Sequence, residues 1–76
     1  MRGLNYKALL RTYQYVMLAT KQRPASVQDI MDYLEDEDCR VSDYVIRIYL
    51  ENIMACDSLI RQGKADGHTV WWNEGV

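Results

Sequence analysis

The sequence predicts a mainly α fold closed by a C-terminal β-hairpin, in a single domain over residues 1–76 with its core at about residues 5–73. Three observations carry this expectation. Apolar residues recur at helical spacing in three stretches before Asp57. Beyond Asp57 the period shortens, and two extended runs flank Asp66-Gly67, a dipeptide suited to the left-handed positions of a type I′ turn. The 76 residues are 49% hydrophobic and 26% charged, enough for one small core and too little for a deep catalytic pocket beside it.

The first helix is expected over residues 4–20. Tyr6, Leu9, Leu10, Tyr13, Val16, Met17 and Thr20 gather on one side of it, and that side is assigned to the core. The other side carries Lys7, Arg11, Gln14 and Leu18 with Tyr15 beside them. Lys7, Arg11, Tyr15 and Leu18 then form either a solvated face or a self-association surface, the route to a homodimer. Pro24 closes this segment, because it disfavours helical geometry in the residue before it and donates no hydrogen bond.

A second helix begins at Ser26, which forms a capping box with Asp29, and its stripe is Val27, Ile30, Met31 and Leu34. Asp29, Asp32 and Asp36 line its outside. The acid run from Glu35 to Asp38 reads as the helix end and turn. The third helix follows from Ser42 as N-cap, over residues 43–55, with Asp43 at the positive end of its dipole. Val45, Ile46, Tyr49, Leu50 and Ile53 face inward, and Tyr44, Arg47, Ile48, Glu51 and Ala55 face outward.

In the hairpin, a two-residue loop pairs Ala65 with His68, Lys64 with Thr69, Gly63 with Val70, Gln62 with Trp71 and Arg61 with Trp72. Adjacent tryptophans on a strand point to opposite faces. Trp71 shares the face of Ile60 and is assigned to the core. Trp72 is expected to lie over Arg61 as a surface cation–π pair.

Charge is unevenly distributed. Residues 1–28 hold five cations and no acid, whereas residues 29–57 hold nine acids against Arg40 and Arg47. Different faces therefore suit different partners, or one copy suits another. The amino-terminal segment lacks a signal-peptide core and no apolar run approaches the roughly 20 residues of a membrane span, so a soluble cytoplasmic chain without a membrane partner is expected. Cys39 and Cys56 lack paired spacing and are expected as reduced thiols. His68 is the only histidine. A zinc site from Cys39, Cys56 and His68 lacks ligand spacing, and the acid run lacks the glycine and final glutamate of a calcium loop. No nucleophile–base arrangement and no phosphate-cradling glycine loop is legible, so neither an enzyme nor a metal or organic cofactor is expected.

The order helix, helix, helix, hairpin, with S-V-x-D-I-x-x-Y-L followed by V-S-x-x-x-I-R-x-Y-L-E-x-I-x-x-x-x-L-I-R, resembles the winged helix-turn-helix family across about residues 5–73. Ser58 stands where many members carry glycine. The resemblance implies a three-helix winged helix-turn-helix whose third helix enters the major groove of double-stranded DNA while the wing, residues 62–69, touches the backbone. It implies a small transcriptional regulator in which Arg47 reads a guanine edge, Tyr44 and Ile48 contact thymine methyl groups or sugars, Ser42 binds a phosphate, and Lys64 and His68 clamp phosphates from the wing. Asp43 and Glu51 flank Arg47, so a single copy binds weakly and a dimer recovers affinity. The alternative is a protein-interaction module that uses the acidic second and third helices, with Tyr44 and Ile48 as anchors, or the basic first helix.

Overall fold

A computed structural model describes residues 5–76. The elements run α1 (Tyr6–Met17), β1 (Ala25–Ser26), α2 (Val27–Asp36), α3 (Asp43–Cys56), β2 (Ile60–Ala65) and β3 (His68–Asn73). Three helices pack on a three-stranded antiparallel sheet of order β1-β3-β2. The longest helix has 14 residues, and no helix among the described residues is long and apolar enough to cross a membrane.

Local chemistry sets the helix ends. Asn5 caps α1 by accepting from the Ala8 N–H at 3.1 Å. Ser26 and Asp29 form the expected reciprocal capping box at 3.0 Å each way. Ser42 caps α3 by accepting from the Val45 N–H at 3.3 Å. The α2–α3 turn is a Schellman motif, in which Cys39 N donates to Leu34 O at 2.7 Å and Asp38 N to Glu35 O at 3.1 Å. The motif needs a left-handed residue, and Asp38 supplies it at φ 61°. Cys39 is thereby drawn into the core beside Leu34.

The hairpin register is the expected one in all five pairs, extended by Ile60 opposite Asn73. Asp66 and Gly67 take φ 52° and 81°, the paired left-handed conformations of a type I′ turn. Trp71 is buried against the helices, together with Ile60. The core proper is Ile30, Leu34, Ile46 and Leu50 with Val16, all fully buried. Each such side chain contributes about 1.5–3 kcal/mol of burial.

Four expectations are corrected. First, α1 spans Tyr6–Met17 and not residues 4–20; Leu4 lies outside the described residues. It stops early because Asn73 takes over the free carbonyls, its Nδ2 donating to Met17 O and its backbone N to Ala19 O, both at 3.0 Å. Second, α1 is turned by about one residue, or ~100°, from the expected face. Ala8, Thr12 and Val16 are its buried side, whereas Tyr6, Leu10 and Met17 are exposed. Small side chains let α1 approach the other helices closely, and the Thr12 hydroxyl is satisfied by donating to Ala8 O at 2.7 Å. Third, β1 was not expected; Ala25 and Ser26 pair with Trp71 and Val70. Fourth, Trp72 does not lie over Arg61. Its indole leans across Gly63, where a Cβ would come within 2.8 Å of the ring, and its Nε1 donates to Glu74 at 2.6 Å. The Arg61 Nε donates instead to Ser58 O at 3.2 Å.

A left-handed conformation is costly for any side chain and least so for glycine. Asp38→Gly is expected to stabilise the fold by up to about 1 kcal/mol, read as a higher urea midpoint at unchanged m-value.

Candidate nucleic-acid interface

An open groove lies where the N-terminus of α2, the first turns of α3 and the start of β3 meet. Ser26, Gln28 and Met31 form one wall, Asp43 and Arg47 another, and His68 and Thr69 the third. Arg47 is presented because the buried side of α3 is filled by Ile46, Tyr49, Leu50 and Ile53, leaving Tyr44, Arg47, Ile48 and Glu51 outside. His68 is presented because the tight turn at Asp66-Gly67 places it at the first position of β3.

The fold thus brings together Arg47 and His68 from distant parts of the chain. Lys64 sits at the groove's edge, its Nζ donating to the Thr69 hydroxyl at 3.2 Å. Arg47 lies one helical turn from both Asp43 and Glu51, yet it forms no ion pair among the described residues. Tyr44 and Ile48 do not line the groove; they stand on the outward face of α3, 70% and 38% exposed. Ser42 faces a different hollow, beside Arg40, Val41 and Tyr6, and its hydroxyl is already engaged in capping. Gln28 and Thr69 belong to the groove and carried no sequence signal, since each is an ordinary polar residue until the fold brings the elements together.

The self-association surface expected on α1 is split by α2. Arg11 pairs with Glu37 at 3.0 Å, and Tyr15 stacks on Tyr33 with ring centroids 5.0 Å apart. Burial, reinforced by Asp29 and Asp32, raises the Tyr15 pKa. Lys7 and Leu18 remain exposed. Cys39 is buried, Cys56 is exposed at the end of α3, and His68 stands at the hairpin turn, so these three are not brought together.

Asp57 links the hairpin entry to α1 and α3. The Tyr13 hydroxyl donates to Asp57 Oδ2 at 2.6 Å, and the Leu59 N–H donates to Asp57 Oδ1 at 3.0 Å. One carboxylate therefore joins α1, the end of α3 and the entry to β2. Accepting from Tyr13, and then from the Leu59 amide, holds the Asp57 pKa below its ordinary value. The same hydrogen bond, with burial and the nearby negative charge, raises that of Tyr13.

No family model matches the chain, and no curated protein or solved structure matches it.

The signs of the two shifts fix a pH window. Asp57 has a lowered folded pKa, so its contribution is full above the unfolded carboxylate value of about 4 and is lost as pH falls through the folded value. Tyr13 has a raised folded pKa, so its contribution is full below about 10 and is lost as pH rises through the folded value. Tyr13→Phe is expected to be less stable than the parent chain at neutral pH, and the gap is expected to close in strong acid and in strong base. Urea melts of both proteins across pH check this; a gap independent of pH would mean that the bond does not carry the difference.

Proposed function

We propose that this chain is a small DNA-binding protein of the winged helix-turn-helix type, acting as a transcriptional regulator. In this reading α2 and α3 form the helix-turn-helix, α3 enters the major groove, and the β2–β3 turn is the wing. The observation that supports it best is the convergence of Arg47, which forms no ion pair among the described residues, with His68 and the neighbouring Lys64 around one open groove. A guanidinium without an ion pair among the described residues suits the two acceptors of a guanine edge, and a lysine with a neighbouring imidazole at a turn suits phosphates beside a groove. Tyr44 and Ile48, exposed beside Arg47, offer apolar contacts to thymine methyl groups. Asp43 lines the same groove and opposes phosphate, so affinity is modest and falls steeply with salt.

A second reading, a protein-interaction module, is supported by the pair Tyr44 and Ile48. Two large apolar groups one turn apart on an exposed, acid-flanked helix suit a basic partner with an apolar centre.

Fluorescence anisotropy against mixed-sequence duplex DNA at low salt separates the two readings. Binding in the micromolar range is expected. Lys64→Ala is expected to weaken it for all sequences alike and to reduce the slope of log K against log salt by about 0.9. Arg47→Ala is expected to cost about 1–3 kcal/mol on a preferred sequence. Absence of binding at tens of micromolar contradicts the DNA reading and leaves the interaction surface.

A further inference from the structure

His68 is the only histidine of the chain, and the fold sets it on the wall of the groove that carries Arg47. The tight turn at Asp66-Gly67 fixes the backbone there, with His68 opposite Ala65 in the first pair of the hairpin. The residue is exposed and forms no ion pair among the described residues. Histidine is the side chain whose ordinary charge change falls between about pH 5 and 8. The fixed charges of the groove therefore meet one adjustable charge.

The groups around His68 decide what that charge does. Asp43 and Arg47 line the groove from α3, Lys64 reaches the Thr69 hydroxyl from β2, and Asp66 lies in the turn. From β1 and α2 come Ser26, Val27, Gln28 and Met31, none of which titrates. Two cations and two carboxylates cancel while the imidazole is neutral, and one positive charge is left over once it is protonated. To a polyanion, that is the difference between a neutral surface and an attractive one.

We propose that mild acid switches this groove to tighter DNA binding and that His68 is the group that senses pH, its imidazolium donating to a phosphate beside the groove. The inference rests on the DNA reading above. Each neutralised phosphate releases counterions, so log K falls more steeply with log salt, by about 0.9 per contact. Protonation of His68 therefore shows twice, in affinity and in salt slope. Neither end of the stability window set by Asp57 and Tyr13 is crossed, since the first contribution is full above about pH 4 and the second below about pH 10.

Fluorescence anisotropy of the full chain against the same mixed-sequence duplex, at about pH 5.5 and about pH 8, tests it. The parent chain is expected to bind roughly tenfold more tightly at the lower pH in low salt, with a salt slope steeper by about 0.9. His68→Gln is expected to bind weakly at both values, and His68→Lys, which keeps its charge, tightly at both. Asp43→Asn removes a carboxylate from the same groove and is expected to bind more tightly at both values while keeping the pH response. A response that persists in His68→Gln, or that disappears in Asp43→Asn, overturns the proposal and leaves the DNA reading standing. So does a parent chain that binds with the same affinity and salt slope at both values. Absence of binding at either pH contradicts the DNA reading and this inference together.

Discussion

β3 is the strand through which the two halves of the chain are joined. On one edge it pairs with β2, its close neighbour in sequence, and on the other with β1, which lies before α2. At its end, Asn73 donates to two carbonyls of the α1 terminus and accepts from Gly75 at 2.9 Å. Its inward tryptophan, Trp71, fills the core against the helices. A chain this short cannot rely on area alone, so hydrogen bonds that close long loops have a large share in fixing the arrangement. The groove inherits its geometry from that closure, since His68 and Thr69 are the first residues of the same strand.

Electrostatics sets what the groove can bind. The chain carries a net charge of −2, and most of its acids lie in and around α2 and α3. Nucleic-acid binding in such a field depends on a few well-placed cations and on keeping them unpaired. Glu37 and Glu35 engage Arg11 and Arg40, whereas Arg47 makes no such pair among the described residues. Both of these ion pairs lie at the C-terminal end of α2.

The parts of the fold that were legible in the sequence are those where one local rule dominates. Ser26 with Asp29, Ser42, and Asp66-Gly67 each specify a cap or turn by their own chemistry, and the inward stripe of α3 follows from spacing. The orientation of α1 was not legible, because tyrosines and leucines outweigh Ala8 and Thr12 in any apolar count. Packing favours the small residues, and Thr12 hides its polarity by donating to its own helix. β1 has only two residues after Pro24 and no alternation to betray it. The meeting of Arg47 with His68 was legible only through the winged helix-turn-helix resemblance, which sets the third helix beside the hairpin turn. The occupation of Arg11 and Tyr15 by Glu37 and Tyr33 was not legible, since it depends on the rotation of α1.

In the proposed reading, α3 and the hairpin turn present one nucleic-acid-binding groove. Amide chemical shifts of the labelled chain, followed as short duplex DNA is added at low salt, test it residue by residue. The largest changes are expected on the outward residues of α3 around Arg47 and on the turn from Lys64 to Thr69, with β1 and the end of α1 little affected. Changes confined to other surfaces, or none at all, would contradict it.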